Sequence, residues 1–129
     1  MFLFQASERG AIYFMLINTK EAQKCKNLGG TGNGTAVKYP VIIPDQSGVF
    51  TMATLISLDK RSSIGYHKHE GTEEIYHIIS GTGLYREDGE EREVKAGDIL
   101  LCRMGCSHGL TNLGEDNLVL GAFIAQKLA

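Results

Sequence analysis

The chain has 129 residues, 43% of them hydrophobic, with 16 glycines, 2 prolines and no tryptophan. At roughly 150 residues per domain this is one domain with at most a short appendage, long enough to bury a core without disulfides. Thirteen basic against fifteen acidic residues give a net charge of −2, which excludes a general nucleic-acid footprint and a polybasic membrane patch; no run reaches the ~20 apolar residues of a membrane span.

The N-terminal apolar run, Met1 to Phe4, is broken by Gln5 to Gly10 and has no basic leader, so no signal peptide is expected. Met15 would itself make a plausible start, so residues 1–14 are read as an extension to the domain proper. Ala11 to Ile17 is apolar and rich in β-formers, a predicted buried strand. Lys20 to Lys24 is the best helical stretch. Asn27 to Gly34 is glycine-rich but lacks the Gly-Lys-Ser/Thr of a phosphate loop, so a flexible loop is expected. Residues 1–36 are thus assigned to a strand, helix and loop extension, and 37–129 to the main domain.

From Val37 onward strand follows strand. Val41-Ile42-Ile43 precedes a Pro44 to Gly48 turn, and Val49 to Leu58 is long and β-like. Predicted strands follow at 66–69, 74–80, 84–87, 92–95, 99–103, 108–111 and 118–124. Asp88-Gly89 is a hairpin signal, and Gly97-Asp98 and Asn112 to Asp116 are turns. Many short strands with turn chemistry between them predict an all-β antiparallel sandwich or small barrel. Three cysteines, Cys25, Cys102 and Cys106, are an odd number with no CxxC pair. They read as reduced thiols in a cytoplasmic protein.

The informative stretch is Gly65 to Glu74, with His67 and His69 two apart. On a strand that spacing puts both imidazoles on one face, about 6–7 Å apart along the chain, where they can converge on one ion. A turn through Gly71 brings the next strand alongside, and Glu74 can add a carboxylate, although the strand pattern alone does not separate it from Glu73. His108 is distant in sequence but can face the same interior in a closed barrel. A histidine pair near a glutamate also arises on ordinary surfaces, so spacing alone leaves both readings open. His77 has the opposite parity to Glu74 and is expected to face away, as a packing or interface residue.

Two motifs then carry a resemblance. Read against G-x5-H-x-H-x3,4-E-x6-G, the first is His67-x-His69-x4-Glu74-x6-Gly81. Read against G-x5-P-x-G-x2-H-x3-N, the second is Gly97-x5-Arg103-x-Gly105-x2-His108-x3-Asn112. The chain resembles a single-domain cupin over residues 61–112, and the flanking strand pattern suits the rest of such a barrel. Arg61 stands where the first motif has glycine, and Arg103 where the second has proline. The x6 spacing to Gly81 selects Glu74 over Glu73.

The resemblance implies a double-stranded β-helix, the jelly-roll barrel of cupins. It also implies that His67, His69, Glu74 and His108 bind one divalent metal, a ligand set suited to Mn, Fe, Co, Ni, Cu or Zn. Two further coordination positions would remain open, favouring an anionic or polyhydroxylated small-molecule ligand. Tyr76 and Ile78 share the parity of Glu74 and are expected to line the cavity, with Tyr76 the one candidate catalytic residue. Cys106 shares the parity of His108, and Arg103 and Arg86 could grip a carboxylate, although Arg86 sits in a charged hairpin. A small metal-dependent enzyme (dioxygenase, isomerase or decarboxylase) is expected, against a non-catalytic sugar- or carboxylate-binding or sensor module, or a barrel with a merely structural metal. No nucleic-acid or membrane partner is expected. A homodimer is, because the apolar strands at 11–17 and 118–124 would otherwise leave edges uncovered.

Overall fold

The computed structural model describes residues 2–6, 13–17, 22–41 and 47–128. Among these the chain is strand and turn with no helix. Strands β1 (Phe2–Ala6) and β2 (Tyr13–Ile17) form a two-stranded antiparallel sheet of their own. The barrel is built from β3 (Gln23–Lys26), β4 (Thr35–Val41), β5 (Phe50–Leu58), β6 (Ser63–Lys68), β7 (Thr72–Ser80), β8 (Thr82–Glu87), β9 (Glu90–Lys95), β10 (Ile99–Cys102), β11 (Ser107–Asn112) and β12 (Leu118–Gln126). A six-stranded sheet in the order β10-β7-β12-β5-β4-β3 faces a four-stranded sheet in the order β6-β11-β8-β9, every pairing antiparallel. This is the all-β jelly-roll architecture expected from the sequence.

The alternation of residue types explains which faces meet. On β7, Glu74, Tyr76 and Ile78 are buried while Ile75, His77 and Ile79 are exposed. Ile56 and Leu58 of β5 and Leu118, Leu120 and Ala122 of β12 complete this inner face. Ile64, Tyr85, Val94 and Leu110 meet them from the smaller sheet. Burying the apolar surface of these side chains is the main stabilising contribution, about 25 cal/mol per Å² removed from water. The Asp88-Gly89 hairpin is present, both residues at positive φ (46° and 85°), as a two-residue turn matching strand twist requires.

Several expectations need correction. Lys20 to Lys24 is not helical over its described part: Gln23–Lys26 is strand β3, paired with Thr35 to Lys38. Sheet pairing overrides the helical preference of these residues, and the exposed Lys24 and Lys26 blunt what is an edge strand. Ala11, Ile12, Lys20, Glu21 and most of the 42–48 segment lie outside the described residues. Within the segment assigned as an extension, β3 and the start of β4 belong to the larger barrel sheet, while β1 and β2 do not.

The glycine-rich loop is anchored rather than loose. Gly65 N–H donates to Leu28 O at 2.8 Å and Ser63 N–H to Asn33 O at 2.8 Å. Asn33 N–H donates in turn to Ser63 Oγ. Glycine is needed where the two backbones meet: a Cβ on Gly32 would lie 2.3 Å from Ser63 O, and one on Gly65 2.2 Å from Thr31 Oγ1. Finally, Cys102 and Cys106 form a disulfide, with Cα atoms 5.6 Å apart, and only Cys25 is free. The odd count hid this pairing; the turn from β10 into β11 brings the two together. Cysteine usage therefore no longer supports assigning the chain to a reducing compartment.

Candidate metal centre

The four residues implied by the two motifs come together inside the barrel. His67 lies on β6, Glu74 on β7 and His108 on β11. His69, just past β6, is tied in place by its backbone: its N–H donates to Cys106 O at 2.9 Å and its carbonyl accepts from Gly105 N–H at 2.7 Å. The three imidazoles form a near-equilateral triangle, with centroids 4.8–4.9 Å apart. Their Nε2 atoms all face Glu74 Oε1, at 3.7 Å for His67, 3.0 Å for His69 and 2.9 Å for His108. The four ligand-type atoms lie within 4.8 Å of one another.

The outer nitrogens set the tautomers. His67 Nδ1 lies 2.6 Å from Gly65 O, so it carries the proton and Nε2 turns a lone pair inward. Tyr85 donates its hydroxyl proton to Glu87 Oε1 at 2.8 Å, which leaves its oxygen to accept from His108 Nδ1 at 3.0 Å. His108 Nε2 is then also an inward lone pair. His69 Nδ1 contacts Thr72 Oγ1 at 2.9 Å. His69 and His108 thus present their Nε2 atoms to each other at 3.0 Å beside a carboxylate oxygen. So many acceptors at such range require a proton or a cation between them, so the residues present suit a divalent ion.

The electrostatics agree. Without an ion, the proton that these clustered nitrogens require serves Glu74 instead: burial pushes its carboxyl upward, but the protons and positive charge shared by the His108, His67 and His69 imidazoles outweigh it, leaving a pKa of about 2. The Glu74 carboxylate raises His67 against the effect of burial. Burial is the larger influence on His69 and lowers it. Burial, and then the Glu74 charge, hold the Tyr76 hydroxyl well above its ordinary range. Tyr76 is 2% exposed and stacks on the His108 ring, centroids 4.6 Å apart with 14° between planes.

A cavity of about 190 Å³ opens on this cluster. His67, His69, Glu74 and Tyr76 form one side; Leu28 and Gly29 of the anchored loop, Lys38, Met52 and Ile56 form much of the rest. Ile78 is fully buried in the core instead of lining this space. His77 is exposed on the outer face of β7, as its parity predicted. Arg86 and Arg103 are both exposed, and Arg86 lies over the Tyr66 ring at 4.6 Å, so neither reaches the cavity. Cys106 is held in its disulfide and is absent from the residues that line the cavity.

Tyr85, Glu87, Leu28 and Lys38 were not found by sequence reasoning. Only Tyr85 had a partial signal: its alternation with Arg86 puts it on the inner face of β8, but nothing in the sequence places β8 beside β11. The motif departures also gain an account. Arg61 adopts φ 61°, the left-handed backbone that glycine takes easily, so the turn survives with an uncommon residue.

Comparison with known proteins places these observations. Residues 54–124 match the family profile described as the cupin domain. The chain is 41% identical to the oxalate-binding protein of Thermotoga maritima, the match covering 72% of this chain and 95% of that one. Among solved structures it is similar to a Thermotoga maritima protein described as a predicted oxalate decarboxylase (TM-score 0.80, 30% identity, 87% of this chain and 99% of that one). It shares its fold with KdgF from Halomonas sp. (TM-score 0.60, 22% identity, 72% of this chain and 80% of that one).

Proposed function

Because the chain belongs to the cupin family, we propose that it holds one divalent transition metal through His67, His69, Glu74 and His108 and uses it to bind a small carboxylate anion such as oxalate. The observation that carries this is the convergence of three Nε2 atoms on one carboxylate oxygen. Atom separations support it. With bonds of ~2.1 Å, neighbouring ligands of an octahedral ion stand ~3.0 Å apart and those of a tetrahedral one ~3.4 Å. The His69–His108, His69–Glu74 and His108–Glu74 separations of 3.0, 3.0 and 2.9 Å lie near the first of these values, and the His67–Glu74 separation of 3.7 Å is wider than both. Four protein ligands would leave coordination positions open to a chelating anion. A bound divalent ion supplies Lewis-acid attraction for carboxylate oxygens.

Cavity size and chemistry favour a small anion over a sugar. About 190 Å³ is below the several hundred Å³ of sites for drug-sized molecules. Beyond the ligand set, the described lining offers no imidazole or carboxyl for proton transfer; its other polar side chains are Tyr76, whose hydroxyl keeps its proton, and Lys38, suited to holding an anion. Binding is therefore the stronger reading, supported by the name of the Thermotoga relative. A decarboxylase is the second reading, supported by the description of the Thermotoga structure. Titration of oxalate into metal-free and Mn²⁺- or Ni²⁺-loaded protein, with formate assayed in the same samples, tests both. Heat of binding only with metal and no formate is expected. Formate production would replace binding by catalysis, and metal-independent binding would overturn the reading.

We also propose a homodimer. Leu101, Ile75 and Phe123 lie side by side across β10, β7 and β12 on the outer sheet face, with Ile99 next to His77 in the adjoining row. All four apolar side chains are 38–64% exposed. A second copy would cover this patch.

A further inference from the structure

We infer that Lys38 is the residue that selects a dianion in this cavity, an assignment that rests on the metal reading above. The argument begins with register. Ala36, Lys38 and Pro40 of β4 lie opposite Leu58, Ile56 and Thr54 of β5. Directly paired residues share a face, and Ala36, Leu58, Ile56 and Thr54 are all at most 4% exposed. Lys38 therefore points into the barrel, in a wall where apolar side chains are the rule.

An inward lysine in an apolar wall is costly unless its charge is answered. Among the described residues the lysine ion pairs are Lys60–Glu115, Lys68–Glu70 and Lys95–Asp98, and Lys38 has none. The one carboxylate of the cavity, Glu74, is engaged by the histidines. Lys38 nonetheless lines the same cavity as His67, His69 and Glu74. A flexible stem lets the ammonium reach the cavity while its methylenes stay in the apolar wall.

The charges then specify the ligand. A divalent ion and Glu74 leave about one positive charge, and Lys38 adds a second. A small dicarboxylate neutralises both: one set of oxygens faces the metal and the remaining oxygens accept charge-assisted hydrogen bonds from Lys38. A monocarboxylate fills only the first role. The cavity is too small for a long diacid, which leaves the two- to three-carbon class.

The test uses the full chain loaded with Mn²⁺ or Ni²⁺, metal content being measured on each sample, and titrates oxalate and acetate into wild type, Lys38→Met and Lys38→Arg. Lys38→Met is expected to keep its metal, lose about tenfold or more in oxalate affinity and change acetate affinity by less than about threefold. Lys38→Arg is expected to restore most of the oxalate affinity. Metal-loaded Lys38→Met that binds oxalate within about twofold of wild type, or loses acetate equally, overturns the assignment of Lys38 and leaves the metal reading standing. Wild type that shows no metal-dependent oxalate binding overturns the metal reading, and this inference with it.

Discussion

The Tyr85 hydroxyl accepts from His108 Nδ1 while donating to Glu87, so in the proposed metal centre it would orient His108 without touching the ion. Tyr85→Phe removes that acceptor with little change in shape. Outer partners of metal ligands are typically worth 10- to 100-fold in affinity. We expect a loss in this range in metal titration of Tyr85→Phe, with an unchanged unfolding midpoint for the metal-free protein; equal affinity would show that Tyr76 stacking alone holds the ring. The acid response also belongs to single residues. Glu74 has a pKa of about 2 in the fold against 4.5 ordinarily. Its contribution to stability is present above 4.5 and is lost as pH falls from 4.5 toward 2. Acid unfolding of metal-free protein is expected to steepen in that window, and Glu74→Gln to flatten it. The convergence of His67, His69, Glu74 and His108 was legible in the sequence because spacing reports parity on a strand and the motifs reach the distant His108. Lys38 and Tyr85 were not, because their roles depend on which strands become neighbours.

Among the elements, the β10–β11 turn carries more of the site than its short length suggests. Its disulfide joins Cys102, which pairs with Glu74 in register, to Cys106, whose carbonyl holds the His69 N–H. In the chain-entropy account a bridge closing so short a loop is worth about 2 kcal/mol. Denaturant unfolding of the metal-free protein with and without a dithiol reductant is expected to differ by about that amount, and an unchanged midpoint would contradict it. The anchored loop makes a second case. Gly32→Ala would place a Cβ against Ser63 O, and overpacking of this kind costs about 1–3 kcal/mol. Strand order was legible from β5 to β12 because alternation and turn residues recur there. It failed at β3, where a polar, helix-favouring stretch becomes an edge strand through pairing with β4. It failed again at Cys102 and Cys106, because proximity across a turn leaves no trace in a count of cysteines.

At the scale of the whole molecule, two surfaces of one sheet serve different ends. The inner face of β7 gives Glu74 and Tyr76 to the centre, and the outer face gives Ile75 to the proposed dimer patch. Ile75→Glu is expected to yield monomers in sedimentation while still binding metal; a dimer of undiminished stability would move the interface elsewhere. The cavity, by contrast, is assembled from both sheets and the 27–34 loop, which is why its charge balance could be read only from the fold. The most direct test of the metal centre is the metal content of metal-free chain after Mn²⁺ or Ni²⁺ loading and desalting, measured beside His108→Ala. One ion per chain in the wild type and a substoichiometric amount in the folded variant are predicted, whereas equal metal in both, or none in the wild type, would contradict the account.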